Sequence, residues 1–489
     1  MTGPEQAAER LAGEGRRLAR NSLVLAAGQA VSLLLGFGST VLAADALGEA
    51  VYGVLEGSQR FVAFFLVVVH FGLHPVLVRA IAMRQGRPEA LVGTVLVLRL
   101  GLGGGFLLLV AGAAAATGYL PEHHPFLMAF AALELLAALS ETFFALLEGR
   151  ERMDRAALVA VVRSVVNFAG VAAVWGLGGG LGDLLLAFLG ARLAQLAALL
   201  AVCPAVLGHL RLRVDRRLFR GLLVAALPFV AIGFAFVARR SLDVVLLARL
   251  STIAEVSLYA AAFNFLGVVT VMPELVQRAL LPALSRLHVA GGAPEVARDT
   301  LVVAASGCLP AGAGLALLAP EALALYPSGE FGGAATALRV LSASLLFVAP
   351  SMVCSTLLTG AGRIWTLVLC NLLALLLQLV VDVALIPRLG AVGAAAGTVS
   401  STAAAAVLFV VACRPLGFRF PVAPVLRQLA AVACMAAGVE ALGGASTGLR
   451  VGGGALLYGL AVVAFAGRGS LERRLLSLAA RRLGAGRWA

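Results

Sequence analysis

The chain contains 489 residues, of which 61% are hydrophobic and only 13% are charged. Soluble domains carry about a quarter charged residues, because they need a hydrated surface. The composition therefore excludes a soluble enzyme, a nucleic-acid-binding protein and a disulfide-rich secreted domain, although the net charge is +13. A membrane-spanning helix needs about 20 apolar residues, so a chain of this length and composition accommodates about 14 spans.

Apolar segments separated by Gly, Pro and Arg clusters predict these spans in chain order. Lipid offers no hydrogen-bond partner to free backbone groups, so we interpret each segment as a helix of an all-α polytopic membrane protein. The expected spans are 22–45, 54–79, 90–116, 124–147, 156–176, 183–207, 221–249, 252–275, 300–320, 334–359, 364–387, 391–412, 422–442 and 449–466.

The most basic connection, at 211–220, separates predicted helices 1–6 from helices 7–12. Because six is an even number, both halves enter the membrane in the same direction, as parallel repeats do. We therefore predict two pseudo-symmetric six-helix lobes and two extra helices. The predicted parts are a cytoplasmic tail at 1–20, an N-lobe at 21–208, a basic linker at 209–220, a C-lobe at 221–413, helices 13 and 14 at 414–466, and a basic amphipathic cytoplasmic tail at 467–489.

The positive charge comes entirely from arginine, since the chain contains no lysine. Of the 38 arginines, 28 lie in connections on the side of the N-terminal tail, five lie in the opposite connections or at helix ends on that side, and five lie further inside predicted spans. Positive residues accumulate in cytoplasmic connections, so both termini are expected in the cytoplasm. No connection is long enough for a catalytic domain, and we expect no enzyme activity.

Charged residues inside predicted spans are candidates for function, because a charge is costly to place in lipid. Arg239, Arg240 and Asp243 on helix 7 are spaced so that the carboxylate can meet either guanidinium group. One positive charge is left over. Either the pairs neutralise each other and the remaining arginine extends to the headgroup layer, or the group is a cationic site facing water. Asp243 is also a candidate for ion coupling.

The first half contains further arginines within its spans. Arg163 and Asn167 share a face of helix 5, Arg192 lies in helix 6, and Arg60 lies in helix 2. A guanidinium group binds phosphate through two parallel hydrogen bonds. These residues are therefore candidate ligands of an anionic substrate.

Two acidic and three amide side chains complete the candidate set. Glu134 and Glu141 on helix 4 either pair with Arg163 or Arg192, or one of them titrates and couples transport to an ion. The amides of helices 8 and 11 either line a substrate cavity or hold helices together. They are Asn264, Asn371 and Gln378.

A histidine pair, His70 and His74, lies before Pro75 in helix 2. The pair has the spacing of a proton relay or of two metal ligands, but no third ligand is adjacent, so we interpret it as packing near a kink. The six cysteines also lack ligand spacing. We predict no metal site and no cofactor.

The run IPRLGAVGAAAGT at 386–398 resembles a signature that joins helices 11 and 12 in polysaccharide transporters of the multidrug/oligosaccharidyl-lipid/polysaccharide exporter superfamily. Three other stretches resemble the same family in the same order, namely ALGEAVYG at 46–53, HFGLHPVLVR at 70–79 and the region 228–259. The resemblance covers predicted helices 1–12 and specifies the superfamily rather than the substrate. One departure is His70, where relatives often carry an acidic residue.

The resemblance implies a two-lobed bundle around a central cavity that opens alternately to each side. Relatives of the O-antigen flippase type move undecaprenyl-diphosphate-linked oligosaccharides between leaflets. The expected function is therefore translocation of a polyprenyl-diphosphate-linked oligosaccharide, or a related anionic glycolipid precursor, from the inner to the outer leaflet of a bacterial cytoplasmic membrane. The alternatives are a cation-coupled multidrug antiporter of the same superfamily and a membrane glycosyltransferase or polymerase.

The expected partners follow from this function. They are the lipid-linked oligosaccharide and membrane lipids, with no nucleic acid, and association with glycan-assembly proteins is left open. We expect a monomer. The positively charged cavity of the family would map here onto Arg60, Arg163, Arg192, Arg239 and Arg240.

Overall fold

The computed structural model describes residues 4–84, 86–150, 152–204, 212–290 and 292–465. Over these residues the chain consists of helices and turns, with no β-strand. The α-helices are α1 Pro4–His70, α2 Leu73–Ala82, α3 Pro88–Thr117, α4 His124–Gly149, α5 Met153–Leu177, α6 Leu181–Val202, α7 Leu218–Leu250, α8 Ile253–Ala290, α9 Ala293–Leu317, α10 Ala319–Leu323, α11 Ala335–Ser342, α12 Leu345–Gly360, α13 Ile364–Leu389, α14 Ala391–Cys413, α15 Val422–Ala441 and α16 Thr447–Phe465. Short 3-10 helices occur at Pro121–His123, Glu330–Ala334 and Arg414–Leu416.

The all-α membrane fold predicted from the apolar segments is confirmed. Within the described ranges, eleven helices are long and apolar enough to cross a membrane, and a twelfth is obtained if the pair Glu330–Ser342 and Leu345–Gly360, bent by 45°, is one span. The number fourteen stays a prediction. Two expected spans are joined in Val31–His70, and α7 contributes only the shorter apolar stretch Leu218–Leu227.

The N-terminal helix is interrupted at glycine. At Gly48 the φ angle is 67°, which divides α1 into the segments expected as helices 1 and 2. A second break separates α1 from α2, where Phe71 has φ 42° and Gly72 has φ 62°. Positive φ angles carry little cost only at glycine. The expected single span 54–79 is therefore two helical segments.

The chain forms two compact units, which we call unit 1 (Met1–Ser241) and unit 2 (Leu242–Ala489). The division falls within α7, whereas the sequence predicts a boundary in the linker 209–220. Part of that linker, 205–211, lies outside the described residues, as does the predicted amphipathic tail from residue 466 onward.

Packing explains why the first part of α7 belongs to unit 1. Leu222 and Ala226 of α7 are buried in one core cluster with Leu73 of α2. Further along α7, the ring of Phe234 meets the ring of Phe64 edge to face, with centroids 5.7 Å apart. This half of α7 therefore covers the α1–α2 break.

The connection that precedes α7 is attached to α3. The backbone N–H of Arg213 donates to the carbonyl of Glu89 at 3.2 Å, and that of Asp215 donates to the Thr94 hydroxyl at 3.0 Å. Since Gly93 has no side chain, this connection lies directly on the helix backbone there. The described part of the linker is therefore held against unit 1.

The two C-terminal helices are built into unit 2. Arg450 of α16 forms an ion pair with Glu321 of α10, although 129 residues separate them in sequence. The side-chain amide of Gln428 on α15 donates to the carbonyl of Val302 on α9 at 2.9 Å. Polar contacts thus fix both helices to the rest of the unit.

Helices α13 and α14 approach each other through glycines. A Cβ atom on Gly393 would lie 2.7 Å from the carbonyl carbon of Leu385, and one on Gly397 would overlap the carboxylate of Asp382. Two small residues four positions apart allow two membrane helices to pack backbone to backbone. The glycine run of the 386–398 signature therefore brings Asp382 against α14.

Candidate functional site

The first polar group of unit 1 joins α4, α5 and α6. Arg192 donates to Glu134 at 2.9 Å and to the side-chain oxygen of Gln195 at 3.4 Å. Arg163 interacts electrostatically with Arg192 and Glu134. In the described part of the chain it forms no hydrogen bond or salt bridge. Two arginines thus face one glutamate, which leaves one positive charge at this position.

The face of α5 that carries Arg163 extends one turn further. Asn167 lies four residues after Arg163, and its amide donates to the hydroxyl of Ser39 on α1 at 3.2 Å. The Ser39 hydroxyl donates in turn to the carbonyl of Leu35. The predicted Arg163–Asn167 face is therefore a polar strip between α1 and α5. Ser39 was not predicted, because a single serine in an apolar helix carries no signal of its own.

Arg60 lies in a second polar group of unit 1. Its Nε atom is 3.7 Å from Glu56, whose carboxylate also accepts a hydrogen bond from Tyr52 at 3.1 Å. Arg60 also donates to the backbone carbonyl of Arg240 at 3.4 Å. The arginine therefore has a neutralising partner one turn before it. The spacing of Glu56 and Arg60 is the signal that sequence reasoning missed.

Glu141 has partners other than the arginines expected for it. It contacts Nδ1 of His70 at 2.9 Å and Nη2 of Arg99 at 3.4 Å. Arg99 is 0% exposed and also donates to the carbonyl of Ala138. An arginine inside the apolar span 90–116 was the available signal for this contact. His74 forms a parallel contact with Glu148 at 3.1 Å.

The principal polar group of unit 2 is built around Asp243. Its Oδ2 atom accepts hydrogen bonds from the hydroxyl of Tyr259 and, at 3.1 Å, from that of Thr398. The two hydroxyls are 2.9 Å apart. One carboxylate therefore connects α7, α8 and α14. Its predicted pairing with Arg239 or Arg240 stays a prediction.

A second carboxylate, Asp382 of α13, lies within electrostatic range of Asp243. It is fully buried, and neither of its carboxylate oxygens has a hydrogen-bond partner among the described residues. Two buried negative charges repel each other unless a proton or a cation compensates for one of them. Carboxylates and hydroxyls are hard oxygen donors, which suit a proton or a hard cation rather than a transition metal.

The three predicted amides occupy different environments. Asn264 is half-buried on α8, and the amide of Asn371 donates to the carbonyl of Leu367 on its own helix at 2.9 Å. Gln378 is buried one turn before Asp382. Their role as lining of a substrate cavity stays a prediction, as does that of the exposed Arg240 and half-buried Arg239 side chains.

Comparison of the amino-acid sequence with known protein families gives a match. A family model described as polysaccharide biosynthesis protein matches residues 18–288. A comparison with curated proteins finds no match.

Solved structures of transporters share the fold. An inward closed lipid II flippase MurJ is 14% identical, with a TM-score of 0.70 over 91% of this chain and 98% of its own. An inward-facing multidrug resistance MATE family transporter is 16% identical, with a TM-score of 0.63 over 81% and 98%. A transporter from Pyrococcus furiosus described by the reverse polarity of its binding pocket is 17% identical, with a TM-score of 0.56 over 81% and 94%. At these identities the likeness concerns the fold alone.

Proposed function

Because the chain belongs to the polysaccharide biosynthesis protein family, we propose that it is a flippase for a polyprenyl-diphosphate-linked oligosaccharide or a related anionic glycolipid precursor. It moves this substrate from the inner to the outer leaflet of a bacterial cytoplasmic membrane by alternating access. Its fold is shared by transporters of the multidrug/oligosaccharidyl-lipid/polysaccharide exporter superfamily.

The surplus positive charge of the Arg163, Arg192 and Glu134 group carries this proposal. A charge inside a membrane is costly, so an uncompensated guanidinium group there favours an anionic ligand. A diphosphate presents several oxygens to the two parallel N–H groups of a guanidinium. The N–H groups of Arg163 are available to such a ligand. Asn167 and Ser39 lie next along the same polar strip, where they are proposed to contact the attached sugars.

Membrane potential favours the proposed direction. Each elementary charge that crosses about 100 mV contributes about 2.3 kcal/mol, so a diphosphate with two negative charges gains about 4 to 5 kcal/mol on leaving a negative cytoplasm. The remaining obstacle is removal of water from sugars and phosphate, which polar groups within the helices reduce. Asp243 and Asp382 are the proposed site of any additional ion coupling. Glu134 instead neutralises part of the positive charge of Arg163 and Arg192.

The test is a flipping assay in proteoliposomes that contain a radiolabelled lipid-linked oligosaccharide. An impermeant glycosidase added outside reports how much substrate reaches the outer leaflet. Arg163→Gln should lower the initial rate about 10- to 100-fold, since a hydrogen bond to a charged group contributes about 1.5 to 3 kcal/mol. The matched control is Arg339→Gln, an exposed arginine of α11.

Equal rates for Arg163→Gln and the wild type, with the same thermal stability, would remove Arg163 from the site. Absence of flipping by the wild type, together with efflux of a cationic dye, would favour the multidrug antiporter. This second function is supported by the buried carboxylates Asp243 and Asp382 of unit 2, because an antiporter of cationic drugs needs acidic groups. Hydrolysis or transfer of the glycan in the same vesicles would instead indicate an enzyme.

A further inference from the structure

The break between α1 and α2 is flanked by two histidines. His70 is the last residue of α1 and His74 is the second residue of α2, while Phe71 and Gly72 between them have positive φ angles. A Cβ atom on Gly72 would lie 2.6 Å from Cβ of Phe229 and 2.8 Å from the carbonyl of Ala226. Close packing by α7 therefore holds the break in place from one side.

From the other side, α4 supplies a glutamate to each histidine. Nδ1 of His70 is 2.9 Å from Glu141, and Nε2 of His74 is 3.1 Å from Glu148. The two glutamates are seven residues apart, so they lie two turns apart on one face of α4. All four side chains retain about a third of their surface exposed, with values from 32% to 40%. Both pairs therefore lie at the surface of unit 1 rather than in its core.

Arg99 of α3 fixes the charge of the first pair. It is fully buried and forms a salt bridge with Glu141. Removal of the negative charge from Glu141 would leave this arginine uncompensated in the interior, which is strongly unfavourable. Arg99 therefore favours the ionised form of Glu141, which faces His70.

The charges around the break do not balance when both histidines are neutral. The charged groups that face them are Arg99 from α3 and Glu141 and Glu148 from α4, whereas the α7 residues at the break, Ala226 and Phe229, are uncharged. One positive and two negative charges leave a net charge of minus one. Uptake of one proton by either histidine brings the cluster to neutrality.

The second histidine has an unsatisfied atom. Nδ1 of His74 is buried, and no hydrogen-bond partner for it occurs among the described residues. Protonation at this atom would bury an N–H group without an acceptor, which is unfavourable. His74 therefore differs from His70 in the hydrogen bonding of its Nδ1 atom, because Nδ1 of His70 faces the carboxylate of Glu141.

We propose that His70 and His74, held by Glu141 and Glu148, form a proton-binding site of unit 1 that sets how tightly the α1–α2 break is held to α4. Proton binding is independent of the proposed function, and only its coupling to flipping rests on that function. This site is separate from the carboxylate pair Asp243 and Asp382 in unit 2.

Proton uptake changes the strength of the contacts rather than their identity. A neutral imidazole forms an ordinary hydrogen bond with a carboxylate, whereas an imidazolium forms a charge-assisted hydrogen bond that is about twice as strong. The protonated site therefore draws the ends of α1 and α2 toward α4. Loss of the proton loosens these contacts at the point where the backbone is already interrupted.

The first experiment measures proton binding by the full-length protein in detergent. Imidazole NMR of histidine-labelled protein should show His70 or His74 changing charge between about pH 5 and 8, as histidine ordinarily does. The variant His70→Gln/His74→Gln should take up about one proton fewer than the wild type over this interval. His123→Gln, in the 3-10 helix Pro121–His123, is the matched control and should leave the imidazole signals of His70 and His74 unchanged.

Glutamine keeps a hydrogen-bonding side chain at each position, so the double variant should retain the thermal stability of the wild type. Glu141→Gln should instead lower it, because Arg99 loses its carboxylate. Two neutral imidazoles throughout the titration, or unchanged proton uptake by the double variant, would overturn the proposal.

The second experiment measures flipping in proteoliposomes with equal pH on both sides and the membrane potential collapsed. The wild-type rate should change severalfold between about pH 5.5 and 7.5, whereas the double variant should lose this dependence. If proton binding is confirmed but the wild-type flipping rate does not depend on pH, the proposed coupling is wrong, while the proposed flippase function is not contradicted. Absence of any wild-type flipping would contradict the proposed function, while the NMR titration would still decide on the proton site.

Discussion

At the residue scale, buried charges account for the salt bridges between helices. A buried ion is unfavourable unless a partner of opposite charge and hydrogen bonds compensate for its lost hydration. Arg99 and Arg192 have such partners in Glu141 and Glu134. Asp382 is different, because the charged group that acts on it, Asp243, has the same sign. A change of charge at this pair is therefore expected to alter the stability of unit 2.

Asp382→Asn should stabilise the protein in sodium-free buffer at neutral pH, because the neutral amide neither repels Asp243 nor needs to take up a proton on burial, and it has the same size as the carboxyl group. A gain of 1 kcal/mol corresponds to a rise of about 2 to 4 °C in melting temperature for a unit of this size. Thermal unfolding in detergent, with and without sodium, checks this, and any dependence on sodium should disappear in the variant. The exposed Asp299→Asn serves as control. A lower melting temperature for Asp382→Asn would mean that the carboxylate has a stabilising partner.

Sequence reasoning identified charged residues in apolar spans but not which of them meet. Asp243 was selected because two arginines lie within one turn of it. Asp382 has no charged neighbour at helical spacing, and its importance arises only where α14 packs against α13. Arg99 was likewise left unassigned, since its partner Glu141 lies on another helix. Contacts between residues distant in sequence depend on tertiary packing, which periodicity does not encode.

At the scale of elements, long apolar runs predict helices well, and the breaks within them follow from backbone chemistry. Pro75 lacks an N–H group, and its ring interferes with the carbonyl four residues earlier, which belongs to Phe71. The proline can therefore lie in the first turn of α2 but not inside a continuous helix. The sequence contained this signal, whereas the exact end of α1 at His70 also depends on α7 packing against Gly72.

Gly393→Ala should weaken the contact between α13 and α14. The added methyl group would lie 2.7 Å from the backbone of Leu385, which cannot move as a side chain can. Overpacking of this kind costs about 1 to 3 kcal/mol, and thermal unfolding should show the loss. Gly307→Ala on α9, with no neighbouring atom within 4 Å, is the matched control. Equal melting temperatures for both variants would contradict backbone-to-backbone packing at Gly393.

At the scale of the whole molecule, composition alone was sufficient to predict a helical membrane protein. The two compact units divide at Ser241, whereas the predicted linker is 209–220, and the six-helix lobes stay a prediction. An arginine-rich connection marks a change of side in the membrane, whereas a compact unit is defined by packing. Helix α7 packs with unit 1 over its first part, so the two criteria give different boundaries.

The distribution of arginine predicts that both termini are cytoplasmic. Green fluorescent protein fused to the C-terminus should fluoresce, and alkaline phosphatase fused at the same position should be inactive. Fusions after Gly118, in the connection between α3 and α4, should give the opposite pair of results. Active phosphatase at the C-terminus would reverse the assigned orientation, and with it the direction in which the membrane potential acts on the substrate.

The ion pair between Arg450 and Glu321 bears on biogenesis. The ribosome synthesises Glu321 129 residues before the arginine that neutralises it. During that interval the Glu321 carboxylate of α10 is without this arginine. Unit 2 can therefore reach its final state only after α16 has been synthesised, and nascent chains truncated before α16 should be recognised by membrane proteases.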